Sequence, residues 1–272
     1  MRADLYLVRY GLSESRTLAQ KLIADGAVTR DGCPIRKPAD DIPEERTPAE
    51  NGIVVRATAD TRYVGRGGLK LEAALDAFAL TVSGGCFADI GASTGGFTDC
   101  LLQRGAARVY AIDAGHGQLH PRLLADLRVR SAEGLNARGL TPADLVRLET
   151  EWQAAHPGER SPAFDGLVDG CVMDVSFISQ TLLHGAVSGL LTPGGWLISL
   201  IKPQFELDAR ALGKRGVVKQ ERDHRAAIDR VCASAVAVGL TVVRVIPSPI
   251  EGGDGNREFL AFMRKKSVSM SF

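Results

Sequence analysis

Beyond residue 66, short apolar runs alternate with longer segments in which apolar residues recur at helical spacing. The runs lie at 86–89, 108–112, 127–130, 166–175, 196–201, 240–245 and 257–262. A segment of the second kind is 69–78, which places Leu71, Ala74, Leu75 and Phe78 on one helical face. This alternation predicts an α/β fold with a mostly parallel seven-stranded sheet and helices on both of its faces.

The first 60 residues have a smaller pattern of a different kind. Two helices are expected, over 2–10 and from Ser13 onward, with Ser13 as the N-cap and Gly26 past the end of the second helix. Short strands are expected at 27–29 and 53–57, and between them Pro38, Pro43 and Pro48 discourage regular structure. We therefore predict a small α+β domain over 1–60, a linker over 61–66 and the α/β domain over 67–272.

Composition places the 272-residue chain among ordinary globular proteins, because 45% of its residues are hydrophobic and 24% are charged. The formal net charge is only +1, so nucleic-acid binding would have to rest on local patches. Residues 1–37 form one such patch, with seven basic and four acidic side chains. The sequence lacks a signal peptide and a membrane-spanning apolar run, so we expect a cytoplasmic protein with no membrane partner.

Cysteine and histidine spacing gives no indication of a metal site. The five cysteines have no C-x-x-C spacing, and the five histidines have no spacing typical of metal ligands. We therefore expect neither a bound metal nor a disulfide framework, and scattered free cysteines are typical of a reducing cytosol.

A glycine-rich turn follows the first strand of the larger domain. Residues 89–98 are Asp-Ile-Gly-Ala-Ser-Thr-Gly-Gly-Phe-Thr, which fits neither a Walker loop nor G-x-G-x-x-G. Asp89 at the strand end would repel a pyrophosphate, but it suits a ligand with an ammonium and a sulfonium group. Asp113 ends the next strand, where α/β nucleotide sites hydrogen-bond ribose hydroxyls. These features predict S-adenosylmethionine as the cofactor, and the alternative is a turn that holds no ligand.

Ionisable residues end four of the predicted strands and should meet at one edge of the sheet, where α/β folds bind ligands. They are Asp89, Asp113, Asp174 and Lys202. Glu133 and Asn136 follow the third strand, where polar groups could meet an adenine edge. The expected cofactor-binding residues are Asp89, Gly91, Ala92, Ser93, Thr94, Gly95, Gly96, Asp113, Glu133, Asn136 and Asp174.

The N-terminal pattern resembles the S4 RNA-binding fold. Two short helices are followed at 22–32 by Leu-Ile-Ala-Asp-Gly-Ala-Val-Thr-Arg-Asp-Gly. In that fold the second helix and the next turn present basic side chains to structured RNA, through phosphate contacts that position the protein. From the residues alone, a solvated basic surface is an equal alternative. The expected RNA contacts are Arg2, Arg9, Arg16, Lys21 and Arg30, with Arg66, Lys214 and Arg215 from basic loops of the larger domain.

Ordered blocks along nearly the whole chain resemble the TlyA family of rRNA 2′-O-methyltransferases. They include Tyr-Val-Gly-Arg-Gly-Gly-Leu-Lys at 63–70, Asp-Val-Ser-Phe-Ile-Ser at 174–179, Lys-Pro-Gln-Phe-Glu at 202–206 and Asn-Arg-Glu-Phe-Leu at 256–260. The resemblance implies an FtsJ-like, Rossmann-like class I methyltransferase domain that uses S-adenosylmethionine. It also implies ribosomal RNA or ribosomal subunits as the partner and a cytidine ribose in 16S or 23S rRNA as the target. Residues 114–117 are Ala-Gly-His-Gly, where a typical member has a Val-Gly-Tyr-Gly type segment. This difference concerns the shape of the expected cofactor pocket.

Lys70, Asp174, Lys202 and Glu258 resemble the Lys-Asp-Lys-Glu tetrad of ribose 2′-O-methyltransferases. The resemblance implies that Lys202 approaches the 2′-oxygen, where it stabilises the alkoxide or, with its pKa lowered by Lys70, accepts the proton. Asp174 and Glu258 would orient the lysines and balance their charge. Lys70 also begins a predicted helix, where a positive charge opposes the helix dipole. From the residues alone, ordinary salt bridges are the alternative.

Other functions stay open at this point. A methyltransferase of base nitrogen or of protein typically has Asn/Asp-Pro-Pro-aromatic where this chain has Asp-Val-Ser-Phe. Cys171 is a candidate nucleophile for cytosine C5 methylation, but it lacks the preceding proline. A membrane-active haemolysin is a label used within the family, although no strongly amphipathic cationic helix supports it. A non-catalytic RNA-binding module would have no need for the acids at the strand ends.

Overall fold

The computed structural model describes residues 1–13, 15–56, 62–159, 162–213 and 216–267. The chain forms two compact units, Met1–Arg62 and Tyr63–Phe272. Lys214 and Arg215, two of the expected RNA contacts, lie outside the described residues. The linker limits of 61–66 stay a prediction.

The first unit combines two helices with a small antiparallel sheet. Its elements are α1 (Ala3–Arg9), α2 (Arg16–Ala24), β1 (Val28–Arg30), β2 (Cys33–Pro34) and β3 (Ile53–Val55). The sheet has the order β2-β1-β3. Leu22 and Ile23 of α2 are buried together with Tyr6 and Leu7 of α1.

The N-cap of α2 differs from the prediction. Ser15, and not Ser13, has the extended backbone of a cap, and its hydroxyl accepts a hydrogen bond from the Leu18 N–H at 3.2 Å. The Ser13 hydroxyl instead donates to the carbonyl of Ser15 at 3.0 Å. The sequence offers two serines two positions apart, and only the backbone conformation decides which of them caps the helix.

Asp4 is fully buried in α1 and gathers polar side chains around it. Its carboxylate accepts hydrogen bonds from Arg2, Arg16 and Gln20 at 2.8–3.0 Å. These partners, Arg2 foremost, hold the pKa of Asp4 well below its usual range. Two of the expected RNA contacts are thus tethered by one buried carboxylate.

Arg9, Lys21 and Arg30 are the remaining basic residues expected to bind RNA in this unit. Arg9 forms an ion pair with Glu44, and Arg30 donates to the carbonyl of Asp41 at 3.4 Å. Lys21 is exposed on α2. Their contacts with RNA stay predictions.

The described residues of the second unit form a seven-stranded sheet. Its strands are β4 (Cys86–Ile90), β5 (Arg108–Asp113), β6 (Val129–Glu133), β7 (Val168–Met173), β8 (Leu191–Ile201), β9 (Leu240–Pro247) and β10 (Phe259–Lys265). The order is β6-β5-β4-β7-β8-β10-β9, with β10 antiparallel to both of its neighbours and the pairs from β6 to β8 parallel. The predicted α/β fold with a mostly parallel sheet is confirmed.

Helices of the second unit are α3 (Gly67–Ala77), α4 (Gly96–Gln103), α5 (Pro121–Leu124), α6 (Pro142–Ala155), α7 (His184–Leu190), α8 (Pro203–Glu206) and α9 (Glu221–Ala237). A continuous helix over 178–190 is not formed. A 3₁₀ turn, Gln180–Leu182, comes before α7, and the Ser179 hydroxyl caps it by accepting from the Thr181 N–H. None of the described helices is both long and apolar enough to cross a membrane.

Alternate residues of the central strands are buried on opposite faces of the sheet, as the pleat requires. Phe87 and Val109 pack in one apolar layer, which α3 and α4 cover. Ile90 and Ile112 pack in the other, which α6, α7 and α9 cover. Both faces are therefore filled by helices, and the carboxyl edge of the strands is left for a site.

Candidate active site

A cavity of about 340 Å³ lies at the carboxyl edge of the parallel strands. Ile90 of β4 pairs with Ile112 of β5 and with Met173 of β7, so the residues that follow these strands lie side by side. The structure brings together there five of the residues expected to bind a cofactor. These are Gly91, Ser93, Asp113, Asn136 and Asp174.

A second cavity of about 200 Å³ shares part of its lining with the first. The shared residues are Gly91, Ser93, Asp174 and Ser176. The second cavity adds Ala92, Thr94 and Gly96 of the glycine-rich turn, together with Arg66 and Lys202. A lysine and an arginine therefore lie next to the space that the expected cofactor residues surround.

Gly91 lets the turn after β4 run close to the end of β7. Its φ is +82°, and a Cβ there would lie 2.8 Å from the carbonyl oxygen of Asp174. Gly95 has a φ of +94°, and its Cβ would meet the Leu123 side chain at 2.1 Å. Both positions need glycine for the backbone alone. Gly95 is not among the residues that line the two cavities, and its contact with a cofactor stays a prediction.

Asp89 is fully buried beneath the glycine-rich turn. One carboxylate oxygen accepts from the N–H and the hydroxyl of Thr98 at 2.9 and 2.7 Å, and the other has no hydrogen-bond partner among the residues that the structure describes. Burial raises the pKa of Asp89 to about 7, and the neighbouring charges of Asp174 and Asp113 push it in the same direction. This cluster of acids favours a cationic ligand, although Asp89 itself does not line either cavity.

The other acids of the expected cofactor site hold loops through backbone N–H groups. Asp113 accepts from Ser93 and Gly115 at 2.8 and 2.7 Å. Glu133 accepts three N–H groups of residues 117–119 at 2.6–3.0 Å, which keep the pKa of its carboxyl low. Glu133 therefore anchors the loop that departs from the family pattern, and its contact with an adenine stays a prediction. The Asn136 side chain accepts from the Arg138 N–H at 3.0 Å.

Lys202 and Asp174 form an ion pair in the second cavity. The Lys202 Nζ lies 2.7 Å from the Asp174 carboxylate and donates to the Ser176 hydroxyl at 2.7 Å. The Lys202 backbone is extended, at φ −109° and ψ 99°, which is the conformation expected before Pro203. The amine is thus held from two sides while it faces the cavity.

Lys70 and Glu258 form a second ion pair, and both side chains are buried. The Lys70 Nζ lies 2.5 Å from the Glu258 carboxylate. A Cβ on Gly67, one turn before Lys70, would lie 3.7 Å from the Asp174 carboxylate, so the first turn of α3 lies close to Asp174. The unfavourable position of Lys70 near a helix N-terminus is therefore compensated by a buried partner. The catalytic roles of all four residues stay predictions.

Two residues of this site were not assigned a role from the sequence. Ser176 contacts the Lys202 amine, and Phe177 is 92% exposed with a left-handed φ of +64°. Among the described aromatic contacts, the Phe177 ring meets the ring of Phe205, with the two centroids 5.3 Å apart. A large apolar side chain held outward in a strained backbone is typical of a functional position. The sequence signal was the place of the Asp-Val-Ser-Phe block, directly after β7.

Metal-dependent chemistry and attack by a cysteine nucleophile find little support in the described part of the chain. There, no three His, Cys, Asp or Glu side chains form a group that could hold a metal ion. Cys171 is fully buried in β7, and burial raises the pKa of its thiol far above the usual range, which is unsuited to a nucleophile.

Comparison with known families agrees with this geometry. The FtsJ-like methyltransferase family matches residues 63–265, and the S4 domain matches residues 1–46. The chain is therefore an FtsJ-like methyltransferase with an S4 domain at its N-terminal side.

Individual relatives show which methyltransferases within this broad family the chain is similar to. The 16S/23S rRNA (cytidine-2′-O)-methyltransferase TlyA of Mycobacterium tuberculosis is 38% identical over 98% of this chain and 90% of its own length. Hemolysin A of Brachyspira hyodysenteriae is 35% identical over 96% of this chain and 98% of its own length. A solved structure described as a hemolysin from Streptococcus thermophilus has a TM-score of 0.69 at 38% identity, covering 98% of this chain and 88% of that one. The chain belongs to the TlyA family.

Proposed function

We propose that this methyltransferase transfers the methyl group of S-adenosylmethionine to the ribose 2′-hydroxyl of a cytidine in 16S rRNA, 23S rRNA or both. The observation that carries the proposal is the Lys202–Asp174 ion pair, in a cavity that shares its wall with the expected cofactor cavity. The substrate class rests on the name of the M. tuberculosis relative. We expect the reaction in the cytoplasm, where ribosomal subunits are found.

The residues of the larger cavity fit S-adenosylmethionine by charge. The charges of Asp174 and Asp113 help to raise the pKa of the buried Asp89 beneath the cavity, and a ligand with an ammonium and a sulfonium relieves that repulsion. Each Asp113 oxygen accepts one N–H and keeps a lone pair for a ribose hydroxyl. Leu135 and Ala137 offer apolar surface to a purine. When bound, the cofactor supplies an electrophilic methyl group.

Lys202 is the residue that would act on the 2′-oxygen. If charged, its ammonium stabilises the negative charge that develops on this oxygen, and if neutral, it accepts the proton. In either case Asp174 and Ser176 fix the position of the amine, and a fixed position lowers the barrier. Glu258 balances the charge of Lys70, which completes the proposed tetrad.

Exposed groups near Lys202 suit a nucleotide substrate. The ring of Phe177 is free on most of its surface to stack on a base, and base–aromatic stacking contributes about 1–3 kcal/mol. Arg66 lines the same cavity as Lys202, and its guanidinium suits a phosphate. In the first unit, the side chains of Arg2 and Arg16 stay 43% and 53% exposed while paired with Asp4, which leaves surface for phosphate contacts. These features support RNA as the partner.

The function is tested by incubating the purified protein with ribosomal subunits and S-adenosylmethionine labelled on its methyl group. We expect label in RNA that is released by nuclease digestion as 2′-O-methylcytidine. Label on a base or on protein, or no label on any RNA, would overturn the proposal. Lysis of erythrocytes by the same preparation, without RNA methylation, would favour the haemolysin alternative.

Cofactor affinity should increase as pH rises through about 7. The folded protein holds the pKa of Asp89 above its ordinary value, so the carboxyl is neutral below that pH and charged above it. A cationic ligand prefers the charged form, and a fall of about one unit in the pKa of Asp89 on binding would make binding about fivefold tighter at about pH 8 than at about pH 6. The free energy of unfolding of the ligand-free protein should fall as pH rises from about 3.8 to about 7 and level off above that, because the folded state holds the proton over this range and the unfolded state does not.

Isothermal titration calorimetry with S-adenosylmethionine measures this dependence. The control is Asp89→Asn, which removes the titrating carboxyl while any titration of the ligand itself is common to both proteins. A pH dependence that is the same in the variant and the wild type would contradict the assignment to Asp89.

A further inference from the structure

Glu206 is a buried carboxylate that the tetrad does not include. It ends α8, four residues after Lys202, and is 2% exposed. One oxygen accepts from the backbone N–H of Gln180 at 2.9 Å, and the other accepts from the Ser179 hydroxyl at 2.5 Å. Both partners belong to the segment that follows β7 and not to the segment that holds Glu206.

The two segments that Glu206 joins carry the reacting side chains. We call residues 174–179 the β7 loop and residues 202–206 the β8 turn. The β7 loop begins with Asp174, whose N–H donates to the carbonyl of Ile90 at 3.0 Å, and it ends at Ser179. Its first end is thus fixed by β4. Its second end is fixed to the β8 turn by Glu206.

Gln180, directly after the β7 loop, extends the connection to β8. Its side chain donates to the carbonyl of Leu200 at 3.3 Å and accepts from the hydroxyl of Ser199. Gln180 and Ser199 are both fully buried. A continuous hydrogen-bond network therefore runs from Glu206 through the end of the β7 loop into β8, the strand that directly precedes Lys202.

We propose that Glu206 is a positioning residue for methyl transfer, which holds the β7 loop against the β8 turn so that Asp174 and Ser176 meet the Lys202 amine. This inference rests on the proposed function. It assigns Glu206 no contact with the substrate or the cofactor.

The energetic cost of the arrangement supports a positioning role. A buried carboxylate needs compensation, and the hydrogen bonds described for Glu206 come from neutral donors. The loop that it anchors also contains Phe177 in the left-handed region, and such a conformation persists only where its surroundings hold it. A neutral amide at position 206 could accept from one of the two donors but would turn its NH₂ group toward the other.

The test compares the wild type with Glu206→Gln, Ser179→Ala and the double variant in the rRNA methylation assay. We expect Glu206→Gln to lower kcat by about 10²-fold, since a small displacement of reacting groups has effects of that size. The KM for S-adenosylmethionine should change less than twofold. In the double variant the two effects on kcat should be clearly less than additive, because both substitutions break the same connection.

Glu149→Gln is the matched control. Glu149 is also a buried carboxylate, but it joins Arg108 and Arg130 at the side of α6 and lines neither cavity of the candidate active site. It should lower the midpoint of thermal unfolding and leave kcat of the folded protein near the wild-type value. A purely structural role of Glu206 would make the two variants alike, and that result would overturn the inference.

Hydrogen exchange separates a failure of this inference from a failure of the proposed function. In Glu206→Gln the amides of residues 175–180 should exchange at least about tenfold faster than in the wild type, with those of β4 and β5 unchanged. Unchanged exchange in residues 175–180 would overturn the connection even if the wild type proved inactive on rRNA. An active wild type together with an unchanged kcat in Glu206→Gln would overturn the positioning role alone.

Discussion

Replacing Lys202 by alanine is expected to lower methyl transfer to rRNA by about 10²–10⁴-fold, the usual range for loss of a group that moves or stabilises a proton in the transition state. The Lys202 amine is the cationic group that contacts Asp174 and Ser176 in the smaller cavity. Binding of S-adenosylmethionine should be retained, because Lys202 does not line the larger cavity. Single-turnover methylation and calorimetry on the same preparations measure the two effects.

Two further variants sharpen the Lys202 experiment. Lys266→Ala removes an exposed lysine after β10 and should leave methylation unchanged. Lys202→Arg keeps a positive charge but cannot give up its proton. Partial activity of the arginine variant would assign Lys202 to alkoxide stabilisation, and complete loss agrees with a base. Wild-type rates in Lys202→Ala would remove Lys202 from the mechanism.

Breaking the Lys70–Glu258 pair is expected to have the second large effect, on stability as well as on activity. Glu258→Gln leaves the buried Lys70 ammonium without its ion-pair partner, and loss of one member of a buried pair typically costs about 3–5 kcal/mol of the free energy of unfolding. Lys70→Met should cost a similar amount. The double variant Lys70→Met/Glu258→Leu should recover most of the stability, because no unpaired charge remains, and should still fail to methylate rRNA.

Urea unfolding followed by circular dichroism, with methylation measured on the same proteins, tests this prediction. Asp76→Asn is the control, since it breaks an ion pair with Arg104 that lies near the surface and should change stability by less than about 1 kcal/mol. A stable double variant that methylates rRNA would limit the Lys70–Glu258 pair to a structural role. Equal stability of the wild type and both single variants would contradict the burial argument itself.

Hydrophobic periodicity was sufficient to predict the α/β fold, because parallel strands buried on both faces are continuous apolar runs. The same topology predicted that Asp113, Asp174 and Lys202 lie at one edge of the sheet, since the carboxyl ends of such strands share an edge. The approximate limits of α3 followed from apolar spacing over 69–78. These successes depend on local patterns that a strand or a helix repeats along its length.

Features that depend on contacts between distant residues did not follow from the sequence. An acid after a strand has the same local pattern whether it faces a ligand or holds a loop, and Glu133 turned out to hold residues 117–119. The exposure of the Phe177 side chain could not be predicted from the sequence either, because an aromatic residue after a strand is usually buried. The burial of Asp4 with two arginines likewise depends on how α1 and α2 pack.

The place of β10 in the sheet sets the earliest moment during synthesis at which Lys70 and Glu258 can pair. β10 is made after every other described strand, yet it lies between β8 and β9. Glu258 directly precedes it and meets Lys70 across 188 positions of the chain. A contact so distant in sequence closes only after the intervening chain has emerged and folded. With the proposed tetrad, a nascent chain halted before β10 therefore cannot methylate the ribosome that is making it.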